Sequence, residues 1–555
     1  MKLMTHHGPG DEAQAIPQPV TPLRKLFAVT GIGPRWPSAL RLAAAFALPA
    51  SIAEALGQGE HVFGIMAGIW LAMYGHTCPY RMRWRLLGML GGLFLAWVCL
   101  GEIVAWESGG ARPVLVVLLV CMAAMATYIG IALPLTPPLG AWAVMFGDVG
   151  FVGVAGGESA VGVLVWAAIG MLGSLAVSMP GRLYDRDKPQ RDAVAAAVSA
   201  VDRYRKLKPD GGRTELTARR DANAALAAAW AALHDAGPVR ADDPLPAELL
   251  GANRRMVETA STATNFGSNY VPLSRPPLTH RLTRALSPNS LAMITTVRVI
   301  VAGAIAAAVS SSLRLDRPDW TILTVALVVG TGLARMDGTI RGLHRLVGTL
   351  LGIGVYAAVA YLSPSAFGLI AVLAILLFLI DFLAGGNYAL AVAFITPAAL
   401  LVGAGGDVVG DHLATLIRDR VLETAIGALV GIAALWLIDR RAHRRRWLWQ
   451  QQAVATAAAR LLELLRDIPP DDPRALRRRR DLQYELLAAV DGGMDAAYTE
   501  PAWAQQHWLV YLRLEQQGYG LLTACWTTPP GDLLDDVDDW AARLQPTPGD
   551  DPRAR

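Results

Sequence analysis

Little in this chain suits a water-soluble enzyme. Only 17% of its 555 residues are charged, where a soluble domain carries roughly 25%. The four cysteines, Cys78, Cys99, Cys121 and Cys525, form no CxxC or CxxxH spacing, which excludes a disulfide scaffold and offers no metal site. The sequence has no Walker A loop, no Rossmann GxGxxG after a strand, no HExxH and no GxSxG. ATP-driven transport by this chain alone, and enzymatic activity in general, therefore lack a motif, and no cofactor is expected. A net charge of +4 is too small to argue for nucleic acid. Residues 1–37 hold six prolines and no apolar run before Ser38, so they read as a flexible cytoplasmic segment and not a cleavable signal. His6 and His7, within it, read as ordinary residues and not as ligands.

What the chain does have is apolar length. Hydrophobic residues make up 53% and mean hydropathy is +0.36. They gather into two blocks, 38–180 and 291–438, broken into stretches of about 16–24 residues, close to the ~20 that cross a bilayer as a helix. The first block predicts spans near 38–56, 60–76, 85–105, 111–126, 128–147 and 159–179. The second predicts 291–313, 319–334, 343–362, 366–383, 387–405 and 413–438.

The two blocks share more than leucine. The Tyr128–Pro137 stretch aligns with Tyr388–Pro397, and Arg85–Gly92 with Arg345–Gly352, each 260 residues on. Gly147-Asp148 meets Gly406-Asp407, Arg41 meets Arg298, and Arg219-Arg220-Asp221 meets Arg479-Arg480-Asp481 at nearly the same offset. General apolar similarity does not explain matched Arg, Thr-Pro and Arg-Asp, so a tandem duplication is expected. The lysines and arginines flanking the spans concentrate on one side, which places both termini in the cytoplasm. An even number of spans per half makes the repeats parallel. The expectation is an all-α membrane protein of two parallel repeats, each of about six transmembrane helices followed by a cytoplasmic helical domain. The polar parts are 181–290 and 439–545, patterned at helical spacing, and 546–555 reads as a disordered tail.

Arg345-Leu-Val-Gly-Thr-Leu-Leu-Gly352, then Asn387-Tyr388-Ala-Leu, then Arg420-Val-Leu-Glu-Thr-Ala-Ile-Gly427 resembles the fusaric-acid-resistance (FUSC-like) inner-membrane family. The resemblance implies an efflux carrier for aromatic or other organic acids in a bacterial inner membrane, sometimes working beside a periplasmic adaptor. More distant relatives of that family include plant aluminium-activated malate channels. The first half departs from the pattern: Met89 follows Gly88, and Val163 stands where the last-span arginine belongs.

Ionisable groups inside a bilayer cost roughly 2.5 kcal/mol or more each, so each needs a reason. Arg420 and Glu423 are spaced i, i+3 and can pair. Arg420 is the candidate carboxylate-binding group, its planar fork matching a carboxylate, with Glu423 holding it and releasing it on protonation. The rival reading is an ion pair that fixes packing, and packing is favoured for Arg418. Arg298 and Arg41 lie in the first turns of an opening span, where snorkelling competes with an inward role. Arg85 and Arg345 start the third spans, where they follow the positive-inside rule or gather anions.

Thr136-Pro137 and Thr396-Pro397 are expected to interrupt the fifth spans. Interrupted helices at matching positions point to a transport site, though a packing kink is also common. Tyr128, Tyr388 and Asn387 then join the candidate substrate site. Asp148 and Asp407 read as solvated acids in an outer loop. Glu423 and Asp381 are the candidate proton-coupling carboxylates. Glycines such as Gly348, Gly352, Gly427 and Gly431 are expected to let helices approach closely. Proton-coupled export of organic acids is the leading function. A passive anion channel and a non-transporting scaffold are the alternatives, and a homo-oligomer is open.

Overall fold

The structure, a computed structural model, describes residues 22–29, 35–109, 112–207, 213–237, 243–260, 275–315, 317–332, 334–403 and 413–544. The lead-in with His6 and His7, the acid Asp407 and the tail 546–555 lie outside the described residues. Within them every regular element is helical and there is no strand. The chain forms two compact units, one from Val20–Arg186 with Leu278–Arg440, the other chiefly from Asp187–Pro277 with Arg441–Arg555.

The apolar unit opens with α1 (Pro22–Phe27) and α2 (Trp36–Ala55), then α3 (Val62–Gly68) between helical turns at Gly59–His61 and Ile69–Met73. Next come α4 (Tyr80–Glu107), α5 (Arg112–Ala132), α6 (Leu139–Ala155), α7 (Ala160–Ser178) and the single turn α8 (Gly181–Tyr184). Helices α9 (Lys188–Arg205), α10 (Arg213–Ala236) and α11 (Leu245–Ala260) belong to the other unit. The chain then returns with α12 (Leu278–Ala285), α13 (Leu291–Ser312), α14 (Pro318–Val329), α15 (Arg335–Leu362), α16 (Ala366–Ala384), α17 (Tyr388–Gly403) and α18 (Leu413–Leu437).

Eight of these stretches are long and apolar enough to cross a membrane: α2, α4, α5, α7, α13, α15, α16 and α18. The protein is thus a multi-pass membrane protein in contact with lipid, and exposed apolar side chains such as Leu48, Ile52, Ile305 and Leu350 sit on these long helices. The twelve expected spans divide unevenly. The second and fifth helices of each block fall short: Gly59–Met73 and Leu139–Ala155, then Pro318–Val329 and Tyr388–Val402. At 1.5 Å per residue, the twelve residues of α14 rise only about 18 Å. Helix α14 ends at the buried Val329 and Gly330, inside the unit, and its unpaired terminal backbone groups must find partners there.

Packing crosses between the blocks. Helix α2 lies on α7 and on α16, while α13 lies on α18 and on α5. The short helices are gripped by glycine. A Cβ at Gly170 of α7 would come 2.1 Å from the Ile65 carbonyl of α3, and one at Gly427 of α18 would come 2.7 Å from the Thr321 carbonyl of α14. Gly348 and Gly352 of α15 meet Ala389, Val392 and Thr396 of α17 in the same way. The glycines expected to admit close approach therefore do so.

Two expectations about the Thr-Pro pairs diverge. Helix α5 runs on through Tyr128 to Ala132, and Thr136-Pro137 lies in the connection before α6. The reason is local: Pro134, Pro137 and Pro138 together remove three backbone donors, and no helix survives that density. The single Pro397 stays inside α17. Asp148 is not in a loop either, since it sits within α6.

In the second unit α9, α10 and α11 share a core built on Val194, Val201, Leu226, Trp230 and Leu249. Helices α19 (Ala442–Leu465), α20 (Pro473–Thr499), α21 (Pro501–Thr527) and α22 (Val537–Leu544) pack around Trp447, Leu461, Leu486, Trp508 and Tyr511. The two polar segments, which the sequence suggests as separate bundles, meet: Arg219 pairs with Glu515 at 3.1 Å and Arg220 with Asp491 at 3.2 Å.

Candidate functional site

The short helix α14 organises the most unusual polar cluster. Arg317, which precedes its first turn, donates through Nε and Nη2 to both oxygens of Asp319 at 3.1 Å. The same Nη2 reaches Asp148 Oδ2 of α6 at 2.6 Å, so one guanidinium ties the first block to the second. The Arg317 backbone N–H donates to Glu423 Oε1 of α18 at 2.8 Å. A helix start withdrawn from water needs an acceptor for such a group, and a carboxylate suits the positive end of the helix.

Glu423 is therefore not the partner of Arg420. No ion pair joins the two, which corrects the expected i, i+3 bridge. Arg420 instead lies over the face of Trp320, its guanidinium carbon 3.8 Å from the ring centroid. The ring supplies an attractive surface for the cation without using its N–H groups. Arg420 is 1% exposed, and its Nε has no hydrogen-bond partner among the described residues.

Arg345 on α15 is equally buried and has both Nε and Nη1 without a partner. It is an electrostatic neighbour of Arg420. One turn beyond each arginine stands a buried threonine with a free hydroxyl, Thr349 on α15 and Thr424 on α18. Thr396 of α17 adds a third such hydroxyl, placed beside Gly352 of α15. Helices α14, α15, α17 and α18 thus bring two uncommitted cations and three uncommitted hydroxyls into one packed region. Buried polar groups are normally satisfied, so a cluster whose orphaned donors outnumber its two orphaned acceptors, Glu423 Oε2 and Asp148 Oδ1, is suited to an anion.

The other expected residues lie elsewhere. Arg298 donates to the carbonyls of Ile438 and Asp439 at 3.3–3.4 Å, capping the far end of α18. Eighteen residues of helix separate Ile438 from Arg420, roughly 27 Å, so Arg298 is a capping residue and not part of this cluster. Tyr128 donates to the Leu282 carbonyl at 2.6 Å and so fixes α12. Pro137 offers its carbonyl to Tyr74 at 2.9 Å, and Thr136 precedes it in the same connection.

Asn387 donates to the carbonyls of Leu26 and Ala28, and Lys25 meets Asp337 at 2.5 Å. Together they strap α1 across the starts of α15 and α17. The Tyr388 ring carries Arg341 at 4.0 Å. Pro397 remains near the cluster through its contact with Gly352. Asp381 accepts from Ser38 of α2 at 2.5 Å and faces Arg41, so it belongs to the contact between α2 and α16. Arg85 is exposed. Arg418 is 63% exposed and pairs with Asp419 at 2.9 Å.

Sequence reasoning passed over Arg317, Asp319, Trp320, Thr349 and Thr424. A signal was available for the first three: Arg-Pro-Asp-Trp sets two opposite charges and an aromatic residue together at the proline-marked start of a short helix. The threonines carry no such mark.

Residues 303–434 match the family model described as fusaric acid resistance protein-like. The matched domain falls within the second membrane block. That domain contains Arg317, Trp320, Arg345, Thr396, Arg420 and Glu423, whereas Asp148 and Arg298 lie outside it. Its presence among membrane-spanning helices points to membrane transport. The chain is also 26% identical over 217 residues to an uncharacterized protein of Haemophilus influenzae, an alignment covering 37% of this chain and 27% of that protein. The match thus spans about a quarter of that relative's length. No solved structure matches.

A second polar feature, a groove of about 370 Å³ between α9 and α11, is lined by Asp202, Arg203, Lys206 and Glu248. Its charges are of both signs and Asp202 already faces Arg255 at 3.5 Å.

Proposed function

We propose that the chain is a proton-coupled secondary transporter that exports aromatic or other organic acids, with Arg420 and Arg345 as the carboxylate-binding groups. The observation that carries this reading is the pair of fully buried, unpartnered arginines inside the fusaric-acid-resistance-like domain. A guanidinium binds a carboxylate through two parallel hydrogen bonds, and Thr349, Thr424 and Thr396 stand ready with further donors. Trp320 holds Arg420 by its face, which leaves the N–H edge for the substrate. Interrupted or short helices at matching places are the usual build of a transport site, and α14 and α17 have that character.

The two blocks are read as parallel repeats. The support is the order of long and short helices, shared by both, and the reciprocal packing of α2 on α16 and α13 on α5. The flanking lysines and arginines support cytoplasmic termini; the reading takes the membrane as a bacterial inner membrane, with a periplasmic adaptor as a fitting partner for export.

The test is uptake of labelled benzoate into inverted membrane vesicles with and without an imposed proton gradient. Gradient-dependent accumulation by the natural protein, abolished by Arg420→Ala at unchanged protein level, is the expected outcome. Equal export by that variant would sink the site assignment. Flux that merely equilibrates, following voltage and ignoring the gradient, would instead describe an anion channel.

A further inference from the structure

Six charges share this cluster, Arg317, Arg345 and Arg420 against Asp148, Asp319 and Glu423, all buried except the part-buried Arg317 and Asp148. Among the described residues the balance is three against three. Other charges nearby do not alter it. Asp419, one turn before Glu423, is paired with Arg418. Arg112 acts on Asp148 from an exposed position on α5. From α13, the remaining helix against α18, the one charged residue is Arg298, at the opposite end.

A single carboxylate entering such a neutral, enclosed cluster would leave one uncompensated negative charge, and burying a lone charge costs several kcal/mol. We infer that the site binds its organic anion together with one proton, and that Glu423 carries it. This rests on the carrier reading above and extends it.

The choice of Glu423 follows from how the three acids are held. Asp148 and Asp319 each accept charge-assisted bonds from Arg317, at 2.6 and 3.1 Å. Asp148 Oδ1 is also buried without a partner. A proton there would leave Arg317 bonded to a neutral acid, and a proton on Asp319 would do the same, so either forfeits the stronger class of hydrogen bond. Glu423 has no ion pair, and only Oε1 is engaged, by a backbone N–H. Its Oε2 is buried without a partner, and a proton placed there breaks nothing.

Ionised Glu423, one turn from Arg420, competes with the substrate for the positive charge; protonated Glu423 releases that charge. One anion and one proton enter together and no covalent bond of the substrate changes. Proton and acid then move in the same direction, so export follows the acid's own outward gradient, and an imposed proton gradient drives uptake into inverted vesicles only when the outside is the more acidic.

The experiment uses the full chain in lipid nanodiscs and benzoate as the probe, between pH 6 and 9, where benzoate itself stays ionised. Binding is followed with proton uptake in weakly buffered solution. The expected result is one proton taken up per benzoate bound, with affinity falling about tenfold per pH unit above the titration of Glu423. Glu423→Gln should bind with an affinity independent of pH and no proton uptake, and Glu423→Asp should restore both. Benzoate binding without proton uptake, or an unchanged pH dependence in Glu423→Gln, overturns the inference and leaves the carrier reading standing. Failure to bind benzoate at any pH would overturn both.

Discussion

Each block of the membrane unit buries arginine, and the two do so in opposite ways. In the first, Arg83 is 3% exposed and gives every arm of its guanidinium to a carbonyl: Gly75 and His76 at 2.8 Å, Cys78 and Ser178 at 3.0 Å. It stitches the turn before α4 to the end of α7. In the second, Arg345 and Arg420 are buried at least as deeply and keep N–H groups without acceptors. Where the second block places Arg420, the first has Val163, buried at 3% against Gly153. The same core holds Phe94, Trp97 and Phe146, stacked at centroid distances of 4.4–5.5 Å. The lesson is that burial alone does not mark a functional arginine. A saturated guanidinium is structural, and an unsaturated one is held ready for something not yet bound.

Removing each kind is the sharpest way to break that comparison. Arg83→Ala strips donors from four carbonyls, and cutting charge-assisted bonds in a buried site costs about 3–5 kcal/mol. Thermal unfolding in detergent should show a large loss of stability. Transport per folded molecule should persist. Arg345→Ala abandons no hydrogen-bond partner but leaves the cluster one negative charge in excess. A proton on Glu423 relieves that excess, so stability should fall less than in Arg83→Ala while transport disappears. If Arg345→Ala destabilised the protein as much as Arg83→Ala, the distinction between the two arginines would fail.

A reciprocal change sharpens the point. Val163→Arg inserts a charge into the filled core of the first block. The cost is about 3 kcal/mol on insertion scales, and folded yield should drop accordingly. Arg420→Val, its mirror, should leave yield intact and silence transport. Quantifying monodisperse protein by size-exclusion fluorescence checks both at once.

How much of this was legible beforehand depends on what kind of signal each residue leaves. Long apolar helices such as α5 and α16 announce themselves by length, and the glycines at 348, 352, 427 and 431 by their spacing. The shortness of α14 and α17 was not visible, because apolar residues continue past a helix end as readily as through it. Arg420, Arg345 and Thr396 were singled out because a charge or a proline interrupts an apolar run. What their side chains meet was not, since a spacing of i, i+3 permits a pair without requiring one. Glu423 turned to the backbone of Arg317, more than a hundred residues away, a partner that only the packing of α14 on α18 creates. Arg298 and Arg345 look alike in sequence and part company because one sits beside helix-terminal carbonyls and the other does not.

The glycine contacts offer a finer comparison, since each block presses a short helix against its last one. A Cβ at Gly170 would meet backbone atoms at 2.1 Å, and one at Gly427 would meet the Thr321 carbonyl and Thr324 Cβ at 2.7 Å. Overpacking costs typically 1–3 kcal/mol. Gly170→Ala should fall at the upper end, because backbone cannot step aside. Gly427→Ala should cost less in stability yet more in transport, because it displaces the helix that bears Arg317 and Trp320. Equal stability losses with equal residual flux would argue that the two contacts serve packing alone.

The polar unit supplies a control in which a buried group has no ligand to await. Cys525 is 3% exposed, and burial pushes its thiol up to about 11, from an ordinary value of 9.0. Below pH 9 the thiol is neutral whether the chain is folded or not, so it contributes nothing that depends on pH. Between 9 and 11 the unfolded chain ionises it while the folded one does not, and stability falls as pH rises. At pH 10 the term amounts to about 1 kcal/mol. Comparing urea unfolding of the natural protein and Cys525→Ser at pH 8 and pH 10 isolates it, since every tyrosine is common to both. The natural chain should lose that much more than the variant. An identical loss would mean that the thiol meets water in the folded state, and that this core is looser than the packing of Leu521 and Leu522 around it implies.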